Sequence, residues 1–285
     1  MKPFLGIDIT TNKKNTVYNG EEFLVNSASS ESTHILEDSI EQAGDVENKA
    51  KLPIVLRVIM YVCLFGWLII AGGILKGMRN VDLKTAYANA PELFYVCGAC
   101  FVIWGILFLA TRSKAKNVGE SEETQVVIKN LDDISKEIYA ELNVPEDAVD
   151  VDVLSFCYKI KKGQPVAKTR GVSFFSHANF EYKAFVQDDK LYLANLEGRY
   201  EFPFSELKGI LTVNKRISIP EWNKDVPPNV GPYKQYKMTV DNYRCIHLKT
   251  YHILKVMRDG EIWGIYFPCY ELGTFEALTG FTTEQ

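Results

Sequence analysis

Two uncharged apolar runs, Val58–Leu75 and Leu93–Thr111, constrain everything else in the chain. A helix rises about 1.5 Å per residue, so each run just crosses the roughly 30 Å of hydrocarbon in a bilayer. In lipid every backbone N–H and C=O has to be paired within its own segment, which a helix achieves whatever its side chains. The sequence therefore predicts a membrane α-hairpin of two transmembrane helices over 52–112, a two-pass anchor carrying soluble parts before and after it in the chain.

Positive residues near the membrane ends set the orientation, because Lys- and Arg-rich flanks stay in the cytoplasm. Lys49, Lys51 and Arg57 flank the first run, and Arg112, Lys114 and Lys116 follow the second. The connecting loop carries Lys76, Arg79 and Lys84, offset by Asp82 and Glu92. The balance places both termini in the cytoplasm and the protein in the cell membrane as a multi-pass chain. Arg57 reads as an interfacial anchor whose long side chain snorkels to the headgroups. Gly66 and Gly73, like Gly98 and Gly105, are seven residues apart, and these small faces are expected to pack against each other. Cys97 and Cys100 form a C-x-x-C at membrane depth, where small apolar packing explains them better than redox or zinc chemistry.

With 285 residues and two helices in lipid, the chain leaves one sizeable soluble domain plus tails. A net charge of −4 argues against a general nucleic-acid binder, and no nucleic-acid partner is expected. Three of the six cysteines lie in the apolar runs, while Cys157, Cys245 and Cys269 are scattered, so no disulfide framework is implied. The first fifty residues lack an apolar signal core, so no cleavable signal peptide is expected and the first apolar run serves as the targeting signal.

Residues 1–26 read as an N-terminal strand segment, with Phe4–Ile9 and Glu22–Val25 as short strands. Residues 27–51 are Ser-rich and acidic and read as a flexible tether. The short hairpin is too small to hold its apolar residues alone, so Phe4, Ile7 and Ile9 are expected to dock on the domain formed by Val149–Gly280. Beyond the second run, Val127, Leu131, Ile134, Ile138 and Leu142 recur at helical spacing and predict a linking helix over 120–143.

From Val149 onward the period changes to two. Val151–Ile160, with a register slip near Leu154, is followed by Phe180–Val186, Lys190–Ala194, Arg199–Phe204, Gly209–Val213, Tyr243–Leu248, Tyr251–Met257 and Ile262–Phe267 as strands. Asp188–Asp189 and Asp259–Gly260 sit at hairpin turns, Ile219–Tyr233 is too rich in Pro for a central strand, and Tyr270–Leu278 closes as a helix. The stretch Lys190–Ile210, a strand, a tight Gly turn, a second strand and a Pro-apolar-Ser-acid-apolar step, resembles the middle of the pleckstrin-homology-like (PH-like) domains of bacterial membrane proteins. The resemblance covers roughly Val149–Gly280. It implies a mainly-β soluble domain over 149–285, a PH-like barrel with a C-terminal helix, acting as a non-catalytic module that binds lipids, peptides or other copies.

Lys159, Lys161, Lys162, Lys168 and Arg170 surround the turn between the first two long strands, where phosphate-binding PH domains place basic residues. Lys161, Lys162, Lys168 and Arg170 are therefore the candidate ligand-binding residues for anionic lipid headgroups, each contributing about 1 kcal/mol near an anionic leaflet. Trp222 and Tyr233, on a rigid Pro frame, are candidates for binding another membrane protein, unless Trp222 folds back over the domain. His247, His252, His177 and Cys245 lack paired zinc spacing. Ser173 and His177 are close in sequence without an orienting third group. No catalytic residue, metal or cofactor is expected. The alternative is a membrane-bound enzyme whose residues converge only in three dimensions.

Overall fold

The computed structural model describes residues 1–8, 20–79, 81–161, 164–167, 177–219, 222, 224–241 and 245–284; side chains of 6–8, 156–161, 164–167, 177–179 and 284 are not described. In chain order the elements are β1 (Lys2–Pro3), β2 (Gly6–Asp8), β3 (Leu24–Ser27), α1 (Ser30–Ala50), α2 (Ile54–Gly77), α3 (Leu83–Asn89), α4 (Pro91–Gly119) and α5 (Glu122–Glu141). Then come β4 (Val149–Lys161), β5 (Gln164–Ala167), β6 (His177–Gln187), β7 (Lys190–Ala194), β8 (Gly198–Pro203), β9 (Leu207–Val213) and β10 (Ile217–Ile219). The last are β11 (Thr239–Val240), β12 (Ile246–Leu248), β13 (Tyr251–Arg258), β14 (Glu261–Pro268), α6 (Leu272–Thr279) and β15 (Thr283–Glu284). They divide into two units, one of residues 34–135 and one joining 1–33 to 136–285.

In the helical unit, α2 and α4 are each long and apolar enough to cross a membrane. Their contact is aromatic: the Trp67 and Trp104 rings lie parallel with centroids 6.4 Å apart, and Phe101 and Phe108 extend the stack. This corrects the expected glycine packing. A Cβ on Gly66 would meet Cys100 at 3.6 Å, but one on Gly73, Gly98 or Gly105 would meet nothing within 4 Å. Gly66 alone sits at the contact, and the half-buried Trp67 and Trp104 rings supply packing where the other glycines meet nothing. The unexpected α3 starts at Asp82, whose carboxylate accepts the Thr85 hydroxyl, and Tyr87 Oη meets Tyr95 Oη at 2.7 Å.

The segment expected as a flexible tether is instead α1, 21 residues long. Ser29 caps it, accepting the Ser32 N–H at 3.1 Å. Its buried positions are Ser32, Ser39 and Val46, spaced by seven, whereas Ile35 and Ile40 are exposed. A seam of two serines and one valine carries little apolar signal, so composition alone underestimated its order. Within the helical unit Val46 and Val127 line one groove, and Lys49 pairs with Glu123 across it. The predicted linking helix is α5.

In the β unit, one sheet runs β2-β4-β6-β7-β8-β3 with β5 beside β4, a second runs β1-β14-β13-β9-β15, and a third is β10-β12-β11. Among the described residues none of these sheets closes into a barrel, so the unit is mainly β with open sheets. Two turns follow directly from sequence. Asp188 and Asp189 have φ of 50° and 58°, and Asp259 and Gly260 have 51° and 79°, the left-handed pairs that tight hairpins need.

The first core gathers Val151, Val153, Tyr182, Leu193, Phe202, Leu254, Ile265 and Phe275. The expected slip near Leu154 is absent. β4 pairs with β6 in unbroken register from Val149↔Ala184 to Phe156↔His177. Leu154 faces the other way and belongs to a second cluster with Ile217, Ile246, Leu248 and Tyr270. β4 is thus covered on both faces, and the outward Asp150, Asp152, Leu154 row begins in a polar recess and ends under apolar cover.

The N-terminal segment completes the first core. β1 pairs parallel to β14, and the Phe4 N–H donates to Gly264 O at 2.8 Å. Gly264 permits this approach, because a Cβ there would meet Met1 Sδ at 2.8 Å and Ile253 at 2.7 Å. Phe4 is 1% exposed and meets Tyr200 and Phe202, each at 5.2 Å between centroids. Its docking is as expected; Ile7 is placed by its backbone in β2 beside β4, and Ile9 lies outside the described residues. Arg258 clamps the same segment. It donates to Glu206 and to Glu22 O at 2.7 Å, with its guanidinium 4.2 Å from the Phe23 ring centroid.

Candidate functional site

Of the basic residues expected to bind headgroups, Lys162, Lys168 and Arg170 lie outside the described residues, and Lys161 is placed only by its backbone, paired with Gln164. Trp222 and Tyr233 do come together, with ring centroids 5.0 Å apart. They are not a projecting surface. Trp222 folds back, donating from Nε1 to Val226 O at 2.8 Å and packing against Tyr270.

Tyr233 and Tyr270 of that group wall a cleft of about 430 Å³, lined also by Asp150, Glu181, Lys224, Asp225 and Glu271 among others. Strand pairing supplies one side: Asp150↔Lys183 and Asp152↔Glu181 are cross-strand neighbours, so all four project from the same sheet face. The end of β14 supplies the other. After Pro268 the chain makes a single tight turn, Cys269–Glu271, which aims Tyr270 and Glu271 at β4 before α6 starts. The Pro-rich excursion brings in Lys224. Its Asn229 side chain donates to Met238 O, tying the far end of the loop back.

Lys224 Nζ lies 2.7 Å from Glu271 and 3.7 Å from Asp152. Asp152 is fully buried; its Oδ2 accepts the Tyr270 hydroxyl at 2.6 Å, and its backbone N–H donates to Glu271 at 3.2 Å. Its Oδ1 has no hydrogen-bond partner among the described residues. Burial pulls the Lys224 ammonium down, but Glu271 and Asp152 outweigh it and hold the group charged, above its ordinary range. Burial and then the Asp152 carboxylate push the Tyr270 hydroxyl well up. Glu181 is raised by partial burial, then by the carboxylates of Asp150 and Asp152. Tyr139 nearby is pushed up to about 12 by burial, then by Glu181 and Asp150.

A separate row lies on the small third sheet. Ser218 Oγ is 2.5 Å from His247 Nδ1, and His247 Nε2 is 3.1 Å from Asp241 Oδ2. Ser218↔His247 is a cross-strand pair, which sheet geometry alone brings into contact. His252 is elsewhere, buried beside Thr212 and Phe267, and the side chain of His177 is not described. Among the described residues no group of three or more His, Cys, Asp or Glu side chains is arranged to hold a metal ion.

Sequence reasoning missed Asp152, Glu181, Lys224 and Glu271. A signal was present for one: Asp152 shares a strand face with Leu154, so an apolar residue two positions on marks that face as covered. Nothing in the local sequence joins Lys224 to Glu271, which are brought together only by the path of the loop.

The chain is thus defined as two long apolar helices joined to a mainly-β unit with an acid-rich cleft. No known family model, curated protein or solved structure matches it.

Proposed function

We propose that this is a two-pass protein of a bacterial cell membrane, both termini cytoplasmic, whose β unit is a binding module rather than an enzyme. The cleft carries the reading. It is a recess large enough for a small group, yet its buried carboxylates are engaged by Lys224 and Tyr270 instead of being set against a nucleophile. The order of antiparallel strands from β4 to β14, closed by α6, supports kinship with PH-like modules. Under this reading the basic loop around Lys161, Lys162, Lys168 and Arg170 faces anionic headgroups, while the cleft takes a partner.

Amide hydrogen exchange on the full chain in nanodiscs tests this. Slowing at Asp150–Val153 on adding spermidine or inorganic phosphate supports a ligand cleft. Slowing confined to 159–161 when phosphatidylglycerol replaces phosphatidylcholine supports the lipid-facing loop. No slowing with any of these contradicts a binding module.

The Ser218–His247–Asp241 row favours a second reading, a serine hydrolase, because it links a hydroxyl, an imidazole and a carboxylate in the order acyl transfer uses. Covalent labelling of the full chain by a fluorophosphonate, lost in Ser218→Ala, would establish it. Absence of labelling removes it.

A further inference from the structure

The segment between the long helices holds another cavity, of about 600 Å³, walled by Asp82, Leu83, Lys84, Tyr87 and Phe94. It lies wholly within the helical unit. Tyr87 fixes its shape: its ring meets that of Phe94 edge-on at 5.4 Å between centroids and its hydroxyl meets that of Tyr95, so α3 is held against the first turns of α4. The charge-free run of α4 begins at Leu93. A cavity walled by Phe94 therefore sits where hydrocarbon gives way to headgroups when α4 spans a bilayer, the depth at which aromatic rings with a polar edge settle.

Two features identify the occupant. The first is apolar. Val81 is 39% exposed and Leu83 56%, on a segment tied at both ends to helices that span the bilayer, so the apolar matter within their reach is lipid. The second is electrostatic. Asp82 and Lys84 bring one charge of each sign to the same cavity, and neither is in an ion pair among the described residues. The Thr85 hydroxyl holds the Asp82 carboxylate in place by donating to it. Opposite charges beside apolar and aromatic walls match a zwitterionic headgroup, with its phosphate toward Lys84 and its ammonium toward Asp82 and the Tyr87 ring. A quaternary ammonium has no N–H to give a carboxylate, whereas a primary ammonium has three.

We propose that the cavity between α3 and α4 is a lipid site that takes the headgroup and first acyl carbons of phosphatidylethanolamine. Lys84 would meet the phosphate, Asp82 the ammonium, and Leu83 and Phe94 the chain. The proposal rests on the reading of α2 and α4 as membrane-spanning and is independent of what the β unit binds.

The test is native mass spectrometry of the full chain released from detergent micelles, titrated in turn with phosphatidylethanolamine, phosphatidylcholine and phosphatidylglycerol. Phosphatidylethanolamine should be retained about two- to fivefold better than either of the others, the scale of an exposed charge pair. Asp82→Asn keeps a residue suited to starting α3 and should abolish that preference while leaving phosphatidylcholine binding unchanged. Lys84→Gln, also at an exposed position, should weaken all three lipids alike, because each carries the phosphate. Equal retention of the three lipids, stronger retention of phosphatidylglycerol, or an unchanged preference in Asp82→Asn overturns the proposal. Extraction of the same chain from membranes by alkaline carbonate overturns the two-pass reading together with the site. Its retention in the membrane pellet without a lipid preference overturns the site alone.

Discussion

His252 is buried against Thr212 and the Phe267 ring, and burial lowers its imidazole below the ordinary 6.5. A depressed histidine favours the neutral form in the fold. Its contribution is therefore complete above 6.5 and is lost as pH falls through the lower, folded value. Thermal unfolding of the full chain should show a drop between pH 7 and pH 5 that is smaller in His252→Gln; identical pH profiles would contradict this. Phe4 makes a second residue-level case. Removing its ring from among Phe23, Tyr200 and Phe202 should cost about 3–5 kcal/mol, as for other buried aromatics cut to Ala. Urea unfolding of Phe4→Ala measures it, and a loss under about 1 kcal/mol would mean that the segment is not part of the core. Both residues were legible to different degrees. Phe4 sits in a short apolar stretch whose need for cover could be argued from sequence, whereas nothing local to His252 distinguishes it from a surface histidine.

Elements with strong periodicity were legible: α2, α4 and α5, and the hairpins turning at Asp188–Asp189 and Asp259–Gly260, match their sequence patterns closely. Elements held by long-range pairing were not. The parallel strands β1, β2 and β15 are two or three residues long and exist only because their partners lie beside them. α1 is the most instructive difference, since its buried seam of Ser32, Ser39 and Val46 defeats any count of apolar residues. Gly44, in the interior of α1, is its weak point, because glycine in a helix interior loses backbone freedom without returning side-chain packing. A Cβ at Gly44 would meet nothing within 4 Å. Gly44→Ala should therefore stabilise the helical unit by about 0.5–1 kcal/mol and raise its helical signal in far-ultraviolet circular dichroism. Loss of stability would argue for a flexible segment after all.

For the whole molecule, the cleft and the two long apolar helices carry the account together: the helices would fix the chain in a bilayer, and the β unit would present an acid-lined recess to the cytoplasm. The candidate site was the least legible part, because it is assembled from β4, β6, a Pro-rich loop and the turn before α6, segments up to 121 residues apart in the 285-residue chain, as Asp150 and Glu271 are. The most direct test is cysteine accessibility in intact bacterial cells. Asp259→Cys marks the exposed hairpin of β13 and β14, and Lys84→Cys marks exposed α3, between the long helices, each compared with the parent chain. A membrane-impermeant maleimide should label Lys84→Cys from outside and reach Asp259→Cys only after permeabilisation, with the protein kept in the membrane pellet through alkaline carbonate. Labelling of Asp259→Cys in intact cells, or release of the chain by carbonate, would contradict it.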